Sequence, residues 1–365
     1  MSSQDASTNS TEHTLGDSIA EMQEIVRRST KVHVCGSRTK SGFHLMVDGA
    51  TIISTHLLKG IISYDPQEFV VTVLSGTKLS DMISILAAQG QYLPFDPLLA
   101  IRGATIGGTV AANAAGSGRF RFGGIRDFLL GVRFIDGRGN CIRGGGQVVK
   151  NAAGFDYPKL MVGSQGKLGL IYELTFKVFP RPEAYSTVVS RFPKLDQALM
   201  CMNQLASSPL DIEAIDLIPI EREGTVFDLA IRIGGIATAI PNRLTRLQQF
   251  LTASRVLCDH EDELFWRAAS NFDWTHNTES MLKLPMTPKS IPVVEGHLAN
   301  PQIDRRYSVG GNVVWLATDW TSELQIKCGT IQTFLGRPNQ EIQSIEKGPF
   351  GRAIKRAIDP EMKFV

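Results

Sequence analysis

Residues 102–124 constrain this chain more than any other stretch, because they are built largely of glycine and alanine. The stretch holds seven glycines, and glycine lets a backbone reach positive φ and approach a ligand closely. Backbone N–H groups exposed in this way form concavities that bind anions. Arg119, Arg121 and Arg126 lie in or just after the stretch. It predicts a cradle for a phosphate-bearing cofactor, with an ordinary Gly/Ala-rich surface loop as the alternative.

The size and composition of the chain exclude several classes of protein. Its 365 residues are enough for two domains, and 43% hydrophobic with 20% charged residues is typical of a soluble globular protein. A net charge of +2 gives no electrostatic reason to expect nucleic acid as a partner. The sequence has neither an apolar run of ~18 residues nor the apolar core of a signal peptide. We therefore expect a cytoplasmic protein whose membrane contact, on the inner face of the membrane, is peripheral or made through a partner.

The number and spacing of the cysteines limit the kinds of redox centre that this chain can hold. There are five, and none forms a C-x-x-C pair. This pattern argues against a disulfide framework and against an iron–sulfur cluster held by this chain. We expect no metal site, and a redox cofactor here would have to pass its electrons to another protein.

Hydrophobic periodicity predicts alternating strands and helices in the first half. We expect a disordered tail over residues 1–15 and a short helix from Asp17. A helix over 79–86, capped by Thr77, is predicted between strands. The predicted strands cover residues 31–35, 60–64, 69–74, 128–135, 140–143 and 171–179. Pro180 and Pro182 then mark a domain boundary.

The second half predicts a different architecture. Strands over 187–191, 212–218, 226–233 and 255–258, with helices over 195–206 and 241–251, give the order βαββαβ of a ferredoxin-like unit. Beyond that unit we expect strands over 282–284, 291–295 and 313–317, a helix from Thr321 or Ser322, and a basic helix over 349–358.

Two further loops carry phosphate-binding chemistry. Residues 36–42, Gly-Ser-Arg-Thr-Lys-Ser-Gly, follow a predicted strand with two cations and three hydroxyl groups. Residues 163–169 hold three glycines but lead into a strand instead of a helix, so they do not fit a Rossmann fingerprint. No G-x-x-x-x-G-K-[ST] sequence is present, which excludes a Walker A loop. The remaining option is an extended cofactor held by several separated loops.

These loops, in this order and spacing, resemble the flavin-binding domain of the vanillyl-alcohol-oxidase/para-cresol-methylhydroxylase (PCMH) family. The matching segments are residues 36–40, 103–116, 126–127 and 162–171. Residues 145–156 with 160–164, and the C-terminal residues 353–364, are similar to the smaller, FAD-binding subunits of bacterial glycolate oxidases. Those subunits usually continue into an Asn-Pro-Gly segment, which does not follow here.

The resemblance implies an α+β protein. Residues 16–182 would form a PCMH-type FAD-binding domain of two subdomains, residues 183–340 an α+β cap containing the ferredoxin-like unit, and residues 341–365 a segment packing back on the FAD domain. It also implies a set of FAD-binding residues: Gly36, Ser37, Arg38, Thr39, Lys40, Gly103, Ala104, Thr105, Gly107, Gly108, Thr109, Asn113, Gly116, Arg126 and Ile171. Arg126 and Asp127 could instead form an ion pair with each other that braces the loop.

Some members of the family bind flavin covalently through His or Cys. Here Thr39 follows Gly36-Ser-Arg, and the 102–124 stretch has neither residue type, so we expect noncovalent FAD. Oxidation of a 2-hydroxy acid needs a base and a cation for the carboxylate. The seven histidines form no H-x-H or H-x-x-x-H pattern, and Asn312 occupies a place where similar subunits often carry His. His276 and His297 are the candidates in the second half, and no catalytic residue is assigned.

Three functions are compatible with the sequence. The first is an FAD-binding subunit of a glycolate oxidase-type complex, working with a second FAD-containing subunit and an iron–sulfur subunit on a small 2-hydroxy acid. The second is a self-sufficient FAD-dependent 2-hydroxy-acid dehydrogenase with its base between residues 261 and 319. The third is a scaffold subunit whose FAD does not cycle.

Overall fold

The fold was analysed in a computed structural model of the chain. It describes residues 12–13, 19–43, 47–146, 155–221, 224–251, 253–275, 280–298, 303–318, 331–336 and 348–365. Within these residues no helix is long and apolar enough to cross a membrane.

The N-terminal half is built on two sheets. Its strands are β1 (Glu12–His13), β2 (Val32–Cys35), β3 (Thr51–Ser54), β4 (Ile61–Asp65), β5 (Val70–Leu74), β6 (Gln91–Tyr92), β7 (Leu129–Ile135), β8 (Cys141–Gly145), β9 (Leu170–Lys177) and β10 (Phe179–Pro180). A three-stranded parallel sheet has the order β1-β3-β2, and a five-stranded antiparallel sheet has the order β4-β5-β9-β7-β8. The short strands β6 and β10 pair with each other.

Helices cover and connect these sheets. They are α1 (Ile19–Arg28), α2 (Leu79–Ala87), α3 (Ile106–Ala112), α4 (Arg119–Phe122), α5 (Ile125–Phe128) and α6 (Tyr157–Met161). In α2, Leu79, Met82 and Leu86 are fully buried at the predicted spacing, each contributing about 1.5–3 kcal/mol of apolar burial. The predicted cap is wrong: Lys78 is the N-cap, because the Thr77 hydroxyl hydrogen-bonds the backbone of Gly60 instead.

The C-terminal half folds on one eight-stranded sheet. Its strands are β11 (Ala184–Phe192), β12 (Ile212–Glu221), β13 (Thr225–Gly235), β14 (Ser254–Cys258), β15 (Met281–Pro285), β16 (Asp304–Ser308), β17 (Val313–Ala317) and β18 (Gln332–Leu335). The sheet order is β14-β11-β13-β12-β16-β17-β15-β18. Its helices are α7 (Leu195–Ala206), α8 (Ile240–Gln248), α9 (Asp259–Asn271) and α10 (Ile291–His297).

The predicted βαββαβ unit is present as β11-α7-β12-β13-α8-β14, with antiparallel neighbours throughout. The predicted strand over 291–295 is wrong, since these residues belong to α10. Pro292 lies in the first helical turn, which proline tolerates, and Ile291 and Val294 are buried at helical spacing while Val293 is exposed. The predicted helix from Thr321 or Ser322 lies outside the described residues.

The last helix, α11 (Pro349–Ile358), brings the C-terminal residues back to the first half. Lys363 O accepts a hydrogen bond from Val32 N at 2.7 Å, and Val365 N donates to Val32 O at 3.0 Å. Asp359, fully buried, accepts from the backbone N–H groups of Lys363 and Phe364. The C-terminal residues therefore pair through their backbone with β2, the strand that leads into the 36–40 loop.

Candidate functional site

The first of the three glycine-bearing segments starts where β2 ends. Arg38 has φ +56°, a left-handed conformation that turns the chain sharply after Gly36. Lys40 is buried, and within the described part of the chain its Nζ donates one hydrogen bond, to Thr39 Oγ1 at 3.2 Å. No carboxylate among the described residues pairs with it, and burial lowers the pKa of Lys40 to about 8. The fold thus holds a desolvated cation at this turn without a counter-charge.

The second segment is α3 with its N-cap. Thr105 Oγ1 accepts a hydrogen bond from Gly108 N at 3.3 Å and starts the helix. A Cβ on Gly36 would lie 2.5 Å from that same Thr105 oxygen, and one on Gly107 would lie 2.6 Å from Ser75 Cβ. Only glycine allows these backbone approaches, so the two loops and the end of β5 pack together at one point.

The third segment, residues 163–171, closes the site from the other side. Gly163 N donates to Val110 O and Gln165 N to Ala111 O, so this loop binds the C-terminal carbonyls of α3. Gly169 has φ +151°, and a Cβ there would come within 2.7 Å of Ile135 O. The chain then enters β9 at Leu170.

Together the three segments enclose a cavity with about 650 Å³ of empty space. Nine of the predicted FAD-binding residues line it: Gly36, Ser37, Arg38, Thr39, Lys40, Thr105, Gly107, Gly108 and Ile171. The sequence also marked Gln165, Gly166 and Gly169, which line it as part of the third segment. The structure therefore brings all three segments to one place.

Six predicted residues do not line this cavity. Ala104 and Thr109 are buried in the protein interior, and Gly116 packs against the backbone of Asp96. Asn113 is the left-handed C-cap of α3 and offers its carbonyl to Lys283 Nζ at 3.0 Å. The remaining two are Gly103, in a turn at φ +80° with open space at its Cβ position, and Arg126, exposed on α5. Asp127 accepts a bond from Gly124 N instead of pairing with Arg126.

Several lining residues were not among the predicted FAD-binding residues. They are Val34, Cys35, Phe43, Thr55, Ser75, Ala111 and Ala112. Ser75 and Thr55 come from strand ends that only the tertiary fold brings to the cavity. Cys35 is buried and lines the cavity, as a strand-end residue of β2.

The polar groups around the cavity fit a phosphate-bearing cofactor. Two of the residues that line the cavity have a buried side-chain oxygen without a hydrogen-bond partner among the described residues, Ser75 Oγ and Gln165 Oε1. Buried polar groups without partners are costly, and so is a buried ammonium without a counter-charge. An anion beside Lys40 would neutralise it with charge-assisted hydrogen bonds.

The histidines do not form a catalytic cluster in the part of the chain that is described. His33 is buried in β2, and His297 Nδ1 lies 2.6 Å from the carbonyl of Val293 in its own helix. His44 and His276 lie outside the described residues. Among the described residues no group of three or more His, Cys, Asp or Glu could hold a metal ion.

A buried ion pair within the C-terminal half accepts a hydrogen bond from the N-terminal half. Asp216 of β12 accepts hydrogen bonds from Arg306 Nε at 2.6 Å and from Ser117 Oγ at 2.9 Å. Asp216, Arg306 and Ser117 are all buried. Since Ser117 belongs to the 102–124 stretch, the cap sheet directly contacts the loop that follows α3.

The fold and the cavity define a flavoprotein. Residues 13–145 match the family model described as an FAD binding domain. Residues 13–145 are therefore recognised as an FAD binding domain, and the cofactor of this chain is FAD.

Particular relatives come from two related enzyme groups. The chain is 38% identical over 198 residues to glycolate oxidase subunit GlcE of Escherichia coli (strain K12), covering 54% of this chain and 56% of that protein. It is 28% identical over 195 residues to glycolate oxidase subunit GlcD of Bacillus subtilis (strain 168), covering 53% and 40%. It is 30% identical over 206 residues to D-lactate dehydrogenase of Anaerostipes hadrus, covering 55% and 43%. The chain thus spans about half the length of the curated relatives it matches.

Among solved structures, alkyldihydroxyacetonephosphate synthase has the same fold. It superposes with a TM-score of 0.68 at 16% identity, covering 94% of this chain and 73% of that one. This likeness extends through the cap as well as the FAD domain. It confirms the predicted α+β, PCMH-type architecture.

Proposed function

We propose that this chain is the FAD-binding subunit of a glycolate oxidase-type complex, active in glycolate catabolism. The complex would oxidise glycolate or a similar 2-hydroxy acid and pass electrons through a second FAD-containing subunit to an iron–sulfur subunit. The observation that carries the proposal is the 38% identity to GlcE over 198 residues, about half of this chain. We further propose a cytoplasmic complex whose membrane contact is peripheral or made through a partner.

The residues of the cavity have separable tasks in this proposal. Bound FAD supplies the acceptor for a hydride from the carbon that bears the substrate hydroxyl. Lys40 and Arg38 would neutralise the two phosphates, while Gly36, Gly107 and Gly108 let the backbone approach the cofactor. Ile171, which also lines the cavity, would contact the adenine through its backbone. Asn113, Gly116 and Arg126 remain candidates for contact with parts of FAD outside this cavity.

The close packing around Gly108 predicts that a larger side chain at this position prevents FAD from binding. Gly108 faces the cavity, where a Cβ would lie 3.1 Å from Thr105 Oγ1 and 3.9 Å from Lys40 Nζ. Gly108→Leu should therefore yield protein without flavin, while Gly296→Leu, at an exposed position with open space, should keep it. Absorbance spectra of the two purified variants check this. Acid precipitation should leave the flavin in the supernatant, because we propose that FAD is bound noncovalently.

A second candidate function rests on the D-lactate dehydrogenase relative. In that case the chain would oxidise a 2-hydroxy acid by itself, with a base from residues 261–319. Anaerobic mixing of the purified chain with glycolate or D-lactate separates the two proposals. Rapid bleaching of the flavin by either acid would support self-sufficient turnover, whereas bleaching only in the reconstituted complex would support the subunit proposal. A flavin that never cycles in either setting would contradict both and indicate the scaffold role.

A further inference from the structure

A second cleft opens between the FAD domain and the cap, away from the FAD cavity. It contains about 720 Å³ of empty space and shares no lining residue with that cavity. We call it the aromatic cleft. It is lined by Tyr92, Arg121, Phe122, Phe179, Pro180, Pro182, Asp211, Glu213, Gly234, Gly235, Ile236 and Arg243.

A buried carboxylate lies in the wall of this cleft. Glu213 of β12 is only 7% exposed, and it accepts no hydrogen bond from any residue that the structure describes. The glycine opposite makes room for it, since a Cβ on Gly234 would lie 2.4 Å from Glu213 Oε1. Burial raises the pKa of Glu213 to about 7. A carboxylate held in this way lacks a partner that carries a positive charge or donates hydrogen bonds.

The nearby arginines do not supply that partner. Arg232, whose charge acts most strongly on Glu213, directs Nε and Nη2 at Asp262, at 3.1 and 2.7 Å. Arg121 and Arg243, at the rim, pair with Asp211 at 2.8 and 3.3 Å. The guanidinium groups around the cleft are therefore committed to other carboxylates.

Three aromatic rings also line the cleft. Two of them already attract cations of the chain, since Lys177 Nζ lies 5.1 Å from the Phe179 ring centroid and Arg121 Cζ lies 5.9 Å from that of Phe122. Tyr92 of β6 pairs across the short two-stranded sheet with Phe179 of β10, which places these rings side by side. The Phe122 ring lies edge-on to Tyr92 with centroids 6.4 Å apart, and 6.3 Å from the Phe179 ring. Ring faces attract organic cations, and aromatic cages are the usual sites for alkylated ammonium groups.

From the juxtaposition of this unpartnered carboxylate with three aromatic rings, we propose that the aromatic cleft binds an organic ammonium group. The group belongs either to a small free amine or to a lysine side chain of a partner protein. Glu213 contacts the charge, and Tyr92, Phe122 and Phe179 contact its alkyl substituents. This site is independent of the FAD cavity and of the proposed oxidation.

Calorimetric titration of the FAD-loaded full chain tests the proposal. Choline and Nα-acetyl-lysine methylamide are the probes for the two sources, and 3,3-dimethylbutan-1-ol is the neutral counterpart of choline. We expect at least one cation to bind and the neutral alcohol not to bind. Binding of choline alone indicates a free amine, and binding of the lysine derivative indicates a partner side chain.

Two variants separate the carboxylate from general effects. Glu213→Gln keeps the shape of the side chain and should weaken binding of the cation at least tenfold. Glu263→Gln removes an exposed carboxylate that lines a different cleft, and it should leave binding unchanged. Retention of the flavin spectrum in both variants shows that the fold is intact.

The pH dependence gives an independent readout. Besides Arg232, the titratable groups that face Glu213 are Asp96, Arg121, Asp262, Tyr92 and Tyr185. Since the cation needs an ionised Glu213, its affinity should fall as pH drops below about 7, by up to tenfold per pH unit. Glu213→Gln should remove this dependence. The proposal is overturned if neither cation binds, if the neutral alcohol binds equally well, or if Glu213→Gln binds like the wild type.

Discussion

Lys40 shows how a single residue couples cofactor binding to pH. In the cavity without FAD, burial lowers its pKa to about 8. The two phosphates would raise that pKa again, so FAD binding takes up a proton wherever Lys40 is neutral beforehand. FAD affinity should therefore be constant below about pH 8 and fall above it, by up to tenfold per pH unit. Fluorescence titration of the apoprotein with FAD between pH 6 and 9.5 measures this.

Variants of Lys40 test the assignment. Lys40→Arg keeps its charge throughout this range and should give a flat profile, whereas Lys40→Met should bind FAD weakly at every pH. Lys289→Met removes an exposed lysine and should behave like the wild type. A wild-type profile that stays flat to pH 9.5 would show that Lys40 does not contact the phosphates.

At the scale of residues, the cavity-lining positions that the sequence predicted are mainly glycines and charged or hydroxyl residues. The 36–40 loop could be predicted because its Gly, two cations and hydroxyl groups follow a strand and are accompanied by a second glycine-rich stretch at residues 102–124. Ser75 could not be predicted to line the cavity, since a serine at the end of a strand is common. Its place at the cavity follows from its contact with Gly107. Ala104 and Thr109 were included by their position in the motif, yet their side chains point into the interior.

At the scale of elements, α3 depends on a residue from the cap. Lys283 of β15 is buried, donates to the carbonyl of Asn113 at the C-terminus of α3, and lies 5.6 Å from the Trp315 ring centroid. Burial first, and then the charge of Arg119, lower its pKa to about 8. A cation at the carbonyl end of a helix is favourable, but its desolvation is costly.

The depressed pKa of Lys283 predicts a stability that depends on pH. Below about pH 8 the lysine is protonated in both the folded and the unfolded chain, so folding bears the full cost of desolvating it. Between pH 8 and its ordinary value of 10.5, the unfolded chain binds more protons than the folded one, so stability rises with pH. Relative to Lys283→Met, the wild type should gain about 2 kcal/mol between pH 7 and 9.5. Urea unfolding of both proteins at the two pH values measures it, and an unchanged difference would refute the shift.

Elements were predicted well where one periodicity dominated. The apolar residues of α2 recur at helical spacing and do not alternate as in a strand, and the predicted helix is present. The prediction of a strand over residues 291–295 was wrong because Ile-Pro-Val-Val is rich in β-branched residues, which favour strands. The burial of Ile291 and Val294 at helical spacing stabilises a helix there instead. In this segment the strand propensity of the residues had less influence on the secondary structure than their tertiary contacts.

At the scale of the whole molecule, the order of elements predicted the ferredoxin-like unit but not the full sheet. Local alternation identifies strands and cannot show that β16, β17, β15 and β18 extend the same sheet. It also cannot show the buried polar cluster in which the Ser117 hydroxyl bonds the carboxylate of the Asp216–Arg306 pair, because these three residues are far apart in sequence. Long-range pairing of polar residues leaves no periodic trace.

The buried pair of Asp216 and Arg306 predicts how strongly the folded chain depends on one carboxylate. Asp216→Ala would leave Arg306 buried without its carboxylate and should cost about 3–5 kcal/mol of unfolding free energy. Glu24→Ala breaks an exposed pair with Arg27 at 3.6 Å and should cost at most about 1 kcal/mol. Because the damage comes from an uncompensated cation, adding Arg306→Met to Asp216→Ala should restore part of the loss. Denaturant unfolding of the FAD-loaded variants decides the matter: a loss below about 1 kcal/mol in Asp216→Ala, or no recovery in the double variant, would show that the buried Asp216–Arg306 pair does not stabilise the fold in this way.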